Sequence, residues 1–200
     1  MRDDRNWIFV DIDTQIDFML PHGRLYVQDA EQLLPLLKQL TQFARAHHIP
    51  IISSMDAHTA EDPEFQQFPP HCIKGTPGQQ KVPETLMPTP VVIPERGSFA
   101  LPGSAEQVIV EKSSLDIFSN PNTEVLLAQL KRHELVVYGV ATDYCIKAAV
   151  LGACIRGYEV KVLEDAIKGL TPEGSQQALE QMRQAGAEII SSRSILKPSS

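Results

Sequence analysis

The sequence predicts an α/β fold of three layers, in which helices cover both faces of a central, mainly parallel sheet. Short apolar runs rich in valine and isoleucine alternate along the chain with segments of helical periodicity, and this alternation is typical of βαβ units. Several of the apolar runs end at an acidic or basic residue. The carboxyl ends of parallel strands lie along one edge of a sheet, and ligands bind there.

The elements predicted in the first half are a strand at 7–10, a helix at 31–47, a strand at 49–55 and an irregular loop at 57–90. Leucines at helical spacing define the helix. The first strand stops at Asp11 and Asp13, and the second stops at Asp56. The long segment after Asp56 is rich in proline, and a loop of this length is usually functional or disordered.

The elements predicted in the second half are strands at 91–93, 107–111, 136–139, 160–163 and 188–190, and helices at 122–133, 143–155 and 171–185. Lys112 follows the second of these strands. Gly157 suits the position after a helix end, while Thr171 followed by Pro172 is typical of a helix start. The sequence therefore predicts one domain over residues 1–200, with the loop at about 56–90 inside it.

Composition excludes some classes of function. The net charge of −7 argues against nucleic acid or an anionic membrane as the main partner. No apolar run is long enough to span a membrane and no signal peptide is expected at the start. Three cysteines without a CxxC motif suit a reducing compartment. We therefore expect a cytoplasmic protein.

Four polar residues follow strands at the edge where a ligand site is expected: Asp13, Asp56, Lys112 and, after a short turn, Cys145. Cys145 falls at the predicted start of a helix, where free N–H groups and the helix dipole favour a thiolate. This makes it a candidate nucleophile. The alternative is a buried core cysteine, which is a common environment for this residue type.

The chain resembles the isochorismatase-like cysteine hydrolase superfamily, and within it the nicotinamidases. The motifs that carry the resemblance are residues 13–18 (DTQIDF), 56–58 (DAH), 69–78 (PPHCIKGTPG), 111–112 (EK) and 139–145 (GVATDYC). They occur in the order of the family and cover nearly the whole chain. The resemblance implies an isochorismatase-like hydrolase fold and a catalytic triad of Cys145, Asp13 and Lys112.

A small amide can be hydrolysed by these groups through a Cys thioester. A thiolate attacks the carbonyl, a carboxylate takes up the thiol proton and returns it to the leaving amine, and a lysine stabilises the negative charge. Asp11 competes with Asp13 for the carboxylate role, and the motif spacing selects Asp13. We assign the oxyanion hole to the backbone N–H groups of Ala141 and Cys145, and the resemblance implies a cis peptide bond between Val140 and Ala141.

The resemblance also implies a metal ion beside the triad. In nicotinamidases this ion binds the pyridine nitrogen of the substrate. The expected ligands are Asp56, His58, Glu64 and His71, since imidazole and carboxylate are common ligands of first-row metals. Zinc is the first choice, with iron or manganese as alternatives. Glu64 stands where many family members have histidine. The alternative to a metal site is that these are surface loop residues whose side chains form hydrogen bonds with backbone groups.

Phe18 and Phe68 match ring-stacking positions of the family, and two aromatic walls suit a flat pyridine. Both are also ordinary core residues in most proteins. The expected function is therefore hydrolysis of nicotinamide or a similar small amide, in NAD salvage, by a homo-oligomer. The alternatives are an isochorismatase or a ureido or carbamoyl amide hydrolase of the same superfamily, and a flavodoxin-like domain that binds a ligand without catalysis.

Overall fold

A computed structural model describes residues 6–97 and 105–196 of the chain. Seven strands form its sheet: β1 Trp7–Ile12, β2 Ile51–Asp56, β3 Val91–Ile93, β4 Gln107–Lys112, β5 Glu134–Val140, β6 Glu159–Lys168 and β7 Glu188–Ile190. Their order is β3-β4-β2-β1-β5-β6-β7, and every neighbouring pair is parallel. The predicted α/β fold class is confirmed.

The α-helices among the described residues are α1 Ile16–Met19, α2 Leu34–Ala46, α3 Asn122–Leu130, α4 Lys147–Ile155 and α5 Pro172–Gln184. Two buried clusters lie on opposite faces of the sheet. One contains Leu37 and Leu40 of α2, and the other contains Leu126 of α3 and Val150 of α4. Packing on both faces explains why the central strands are buried at nearly every position instead of at alternate ones.

The chain order reverses at β1, because later strands add first on its β2 side and then on its β5 side. Such a reversal opens a crevice at the carboxyl ends of the central strands. Gly139 in β5 has a φ of +120°, and a Cβ there would lie 2.1 Å from the carbonyl oxygen of Ile12. Only glycine allows β5 to lie this close to the end of β1.

Four predicted boundaries differ from the structure by three residues or more. The helix predicted at 31–47 starts with a 3₁₀ turn, and α2 begins only at Leu34. The helix predicted at 122–133 ends at Leu130, because Lys131 adopts a left-handed φ of 50°. The helix predicted at 143–155 starts with a π-helical turn, Thr142–Ile146, before α4. The strand predicted at 160–163 continues to Lys168 through an exposed polar pair that interrupts its apolar pattern.

The long segment after β2 is loop, as predicted, apart from three short 3₁₀ turns. An isolated β-bridge between Gln15 and Lys81 attaches it to the body of the fold, and a second bridge, between His58 and Ile73, joins two parts of the segment itself. None of the helices in the part of the chain that the structure describes has the length and apolar character needed to cross a bilayer. The first five residues, on which the expectation of no signal peptide depends, lie outside that part.

Candidate active site

Three of the predicted residues lie at the ends of different strands and meet at the crevice. Asp13 follows β1, Lys112 is the last residue of β4, and Cys145 lies in the π-helical turn after β5. Asp13 and Lys112 are fully buried, and Cys145 is 6 % exposed. Asp56 ends β2 between them and pairs in register with Lys112. The parallel register therefore delivers all four side chains to one edge of the sheet.

Lys112 is at the centre of this group. Its Nζ lies 2.8 Å from Oδ2 of Asp13 and 3.7 Å from Sγ of Cys145, and it also donates to Oδ1 of Asp56. Asp13, Asp56 and Cys145 each offer a ligand atom within 4.8 Å of the others. Ser54 donates to Oδ1 of Asp13 at 2.6 Å and accepts from its N–H at 3.1 Å, which fixes the carboxylate.

The charges of the group are strongly coupled. Burial alone would lower the pKa of Lys112, but Asp13 and Asp56 hold it well above its ordinary value, so the amine stays charged. Burial, with the Asp56 charge, raises the pKa of Asp13. Burial also raises the pKa of the Cys145 thiol, and Lys112 offsets this only in part. Burial of Cys145 therefore opposes the thiolate that the free N–H groups of a helix start would favour.

Asp11 lies in a separate buried network. Its carboxylate lies 3.0 Å from Nζ of Lys81 and accepts hydrogen bonds from Ser53 and Thr14 at 2.9 and 2.8 Å. Asp13 has a φ of +47°, so the backbone leaves the strand geometry that would place both acids on the same face. This turn gives the two acids different surroundings, as the motif spacing indicated.

A second group lies beside the first and shares Asp56 with it. Asp56, His58 and His71 each offer a ligand atom within 4.8 Å of the others, and all three are buried. Nδ1 of His58 lies 3.0 Å from the Asp62 carboxylate, and Nδ1 of His71 lies 2.8 Å from the Pro69 carbonyl oxygen. Partners of this kind orient the second ring nitrogen toward a metal.

The residues present fit a divalent cation. Nε2 of His58 is buried and has no hydrogen-bond partner, whereas buried polar atoms normally have one. It lies 3.6 Å from Oδ2 of Asp56. Burial alone would lower the pKa of His58, but the nearby carboxylates of Asp56 and Asp62 raise it to about 9. Without a cation the imidazole thus takes up a proton, and a metal would replace that proton at the same carboxylates.

Glu64 lies at the edge of this group. Its Oε1 is 3.8 Å from Nε2 of His71, and its side chain is 20 % exposed, in contrast to the buried histidines. Glu64 also forms a looser group of possible ligands with His58 and Asp62. Burial raises the pKa of its carboxyl, while the two histidines lower it. The structure thus places Glu64 within reach of a metal, but outside the tight trio.

An apolar cavity opens onto both groups, and apolar clefts with a few convergent polar groups are typical ligand sites. The residues that line it are Phe18, Leu25, Val27, Asp56, Glu64, Phe68, His71, Leu115, Ala141, Tyr144, Cys145 and Leu170. The ring centroids of Phe18 and Phe68 lie 5.3 and 6.5 Å from that of His71. Both predicted aromatic walls therefore face the cavity, and Phe18 belongs to the core as well.

The predicted oxyanion-hole residues also line the cavity. The peptide bond between Val140 and Ala141 is cis, as expected from the motif. The carbonyl oxygen of Ala141 accepts hydrogen bonds from the N–H groups of Tyr144 and Ile146, both at 3.1 Å. These bonds close the π-helical turn that carries Cys145.

Residues 8–194 match the model of the isochorismatase domain. The chain belongs to the isochorismatase family. Its seven-stranded parallel sheet agrees with solved members, including an isochorismatase-like hydrolase from Alkaliphilus metalliredigens with a TM-score of 0.81 at 22 % identity, which covers 95 % of this chain and 97 % of that one. This membership argues against the predicted alternative of a non-enzymatic flavodoxin-like binding domain.

Among relatives, the nicotinamidase of Escherichia coli is 27 % identical over 89 % of this chain and 91 % of its own length. The nicotinamidase/pyrazinamidase of Mycobacterium tuberculosis is 27 % identical over 90 % and 96 %. The pyrazinamidase of Pyrococcus horikoshii, solved in complex with zinc, has a TM-score of 0.78 at 27 % identity and covers 93 % of this chain and 99 % of that one. These relatives support a family hydrolase that acts on amides.

Several residues that shape the site were not predicted. Gln15 donates from Nε2 to the Asp56 carbonyl oxygen at 2.9 Å and accepts from the Asp56 N–H at 2.7 Å. Asp17 accepts from the N–H of Cys72 at 2.7 Å and so holds the loop that carries His71. Both belong to the DTQIDF motif, so the spacing that selected Asp13 could have indicated them. Tyr144 and the leucines of the cavity give no such signal.

Proposed function

We propose that this protein is a nicotinamidase-type amidohydrolase, which converts nicotinamide or a similar small amide to the acid and ammonia. The observation that carries the proposal is the position of Lys112. Its buried ammonium lies between Asp13 and Asp56 and 3.7 Å from the Cys145 sulfur, at the end of an apolar cavity. Burying a lysine with two acids and a thiol is costly, so an arrangement of this kind indicates chemistry.

Cys145 is the proposed nucleophile and Asp13 the proposed proton carrier. Because burial raises the pKa of both the Cys145 thiol and Asp13, the carboxylate can accept the thiol proton as sulfur attacks the amide carbon. Asp13 then gives this proton to the leaving nitrogen, the C–N bond breaks, and ammonia departs. Water attacks the thioester with Asp13 again as base, which releases the acid and restores the thiol.

Lys112 stabilises the charges of this sequence. Its ammonium faces Asp13 and Cys145, and it therefore favours the thiolate that forms during attack and keeps Asp13 ionised beforehand. We assign the negative charge on the carbonyl oxygen to the N–H groups of Ala141 and Cys145, which both line the cavity. Donors fixed by the fold at the site of a developing charge accelerate such reactions most.

Asp56, His58 and His71 would hold the metal ion, with Glu64 as an additional ligand. A bound divalent cation supplies a Lewis acid that can take a ring nitrogen or a water. The buried, unpartnered Nε2 of His58 and the two oriented imidazoles support this assignment. Zinc is our first choice, with iron or manganese as alternatives, because carboxylate and imidazole ligands suit all three.

Phe18 and Phe68 would contact the two faces or edges of a flat ring, with Tyr144 behind Phe68 at a centroid distance of 5.5 Å. An aromatic ring between aromatic walls gains about 0.5–1.5 kcal/mol beyond its buried area. A location in the cytoplasm, a role in NAD salvage and a homo-oligomeric state remain predictions from the sequence and the resemblance.

The test is ammonia release from nicotinamide, pyrazinamide and a ureido compound by the purified, metal-loaded protein. We expect turnover of the two ring amides, and loss of at least about 1,000-fold in Cys145→Ala, because the covalent step disappears. Cys154→Ala is the matched control, since this cysteine lies on α4 and is only partly buried. It should retain activity.

The thioester is tested separately, by rapid quenching followed by measurement of the intact mass. An adduct equal in mass to the amide minus ammonia is expected on Cys145 and absent from Cys145→Ala. Turnover of the ureido compound alone would transfer the proposal to the carbamoyl amide hydrolases of the family. Activity of Cys145→Ala within tenfold of the native protein would refute the nucleophile.

A further inference from the structure

The cavity changes in character from its floor to its mouth. At the floor, Cys145 and His71 are 6 % and 1 % exposed, whereas Leu115 is 39 % exposed and Leu25 and Leu170 are half-buried. The three leucines lie in separate loops, which follow α1, β4 and β6. We call these three residues the leucine collar. Leu115 is the one exposed residue among the described residues that line the cavity, so it marks the mouth, and Leu25 and Leu170 are half-buried, as Glu64 and Phe68 are.

Leu115 is unusual among the apolar residues of the surface. The large hydrophobic side chains exposed in the described part of the chain are Leu86, Val92, Leu115, Val125 and Ile155. Of these, Leu115 alone lines the cavity. Contact with an apolar ligand surface removes an exposed leucine at the entrance to a ligand site from water, and this burial of apolar surface favours binding.

The lining offers no cation to balance a negative charge at the mouth. Among the described residues that line the cavity, the charged side chains are the acids Asp56 and Glu64, besides the histidine at the floor. Lys112 lies behind the floor, fully buried and engaged by Asp13 and Asp56. A carboxylate at the mouth would therefore lose water against leucine side chains without gaining a partner, and such burial is unfavourable.

We propose that the leucine collar makes the site selective for amides whose end remote from the amide group is uncharged, with Leu115 as the residue that dominates this selection. The inference rests on the proposed function, since the amide carbon must reach the Cys145 sulfur. The amide group then occupies the floor, and the remote end of the molecule meets the collar. Amides that carry a carboxylate at that end are excluded, although their amide group is chemically the same.

The test compares nicotinamide with 5-carbamoylnicotinate, which adds one carboxylate on the remote side of the ring. For the metal-loaded native protein we expect kcat/KM to be at least about 30-fold lower for the anionic amide, at the low end of the cost of burying an unpaired polar group. We call kcat/KM for nicotinamide divided by kcat/KM for the anionic amide the selectivity ratio. Leu115→Arg should reduce this ratio at least about tenfold by supplying a cation. Leu115→Gln, which is polar but uncharged, should leave the ratio within about threefold of its native value.

The inference is overturned if the kcat/KM values of the native protein for the two amides agree within about threefold. It is also overturned if Leu115→Arg and Leu115→Gln have equal selectivity ratios. If the native protein hydrolyses neither amide, the proposed function is wrong. The charge selectivity of the leucine collar is then tested by binding. Calorimetric titration of metal-loaded Cys145→Ala with the same pair should then show binding of the neutral amide only. Equal binding of the two amides, or binding of neither, would refute the collar as a filter of charge.

Discussion

Lys112 is expected to contribute to stability as well as chemistry, and Lys112→Met tests this directly. At the 2.8 Å separation of Nζ and the Asp13 Oδ2, the attraction is ~6 kcal/mol at an effective dielectric constant of about 20. Methionine fills most of the volume and removes the desolvation cost of the amine, but it leaves Asp13 and Asp56 as two unbalanced acids. We therefore expect unfolding to become easier by about 3–5 kcal/mol, the cost of breaking a buried pair.

The loss of stability in Lys112→Met should depend on pH in a defined direction. Lys112 lowers the pKa of both Asp13 and Asp56, so its removal raises both pKa values in the folded state. A carboxyl whose folded pKa exceeds its unfolded pKa destabilises the fold when ionised and ceases to do so once protonated. The stability deficit of Lys112→Met relative to the native protein should therefore shrink as the pH falls from about 7 toward 5.

The assay is urea denaturation followed by far-UV circular dichroism, with a chelator present so that no metal contributes. Lys74→Met is the matched control, since Lys74 pairs with Glu111 at 2.6 Å but its side chain is 58 % exposed. An exposed pair of this kind contributes roughly 0–1 kcal/mol. If Lys112→Met is no less stable than Lys74→Met, or if its deficit grows as the pH falls, the argument for a buried charge group is wrong.

Two further predictions concern the roles of individual residues. Asp13→Asn should lower kcat at least about 100-fold, because the proton carrier is lost. Asp11→Asn should lower the unfolding free energy by about 3 kcal/mol and kcat much less, because Asp11 balances the charge of Lys81. Equal kcat values for the two variants would contradict the assignment of Asp13 as proton carrier. His58→Ala should lower the bound metal per chain, measured by mass spectrometry, at least about tenfold, with the surface variant His22→Ala as control. Unchanged metal content in His58→Ala would exclude His58 as a ligand.

The positions of the site residues in the fold followed from the sequence because strand ends are a strong signal. Asp56 and Lys112 end neighbouring strands, and the parallel register places them opposite each other. Any α/β sheet built from these strands brings such residues to one edge. The same reasoning cannot separate Asp11 from Asp13, since residues two apart in a strand share a face, and the separation depends on the φ of +47° at Asp13.

The parts that the sequence did not predict depend on contacts across long separations. Tyr144, Leu115 and Leu170 meet at the cavity only because three connecting loops converge there, and no local pattern encodes this convergence. The π-helical turn at Thr142–Ile146 was predicted as ordinary helix, since side-chain periodicity hardly distinguishes one wider turn from a regular one. The shift in boundary matters, because it places Cys145 before the α-helix and not in its first turn.

Asp56 explains why the two groups of the site form one unit. Its Oδ1 accepts from Lys112, and its Oδ2 faces the imidazoles of His58 and His71 at 3.6 and 4.0 Å. The backbone of Asp56 is fixed on both sides by the Gln15 amide, so the carboxylate cannot turn toward one group without leaving the other. A substitution at Asp56 therefore perturbs both the lysine and the proposed metal ligands, and its effect cannot be divided between them. Lys112 and His58, which each touch only one side, are the positions at which the two roles can be separated.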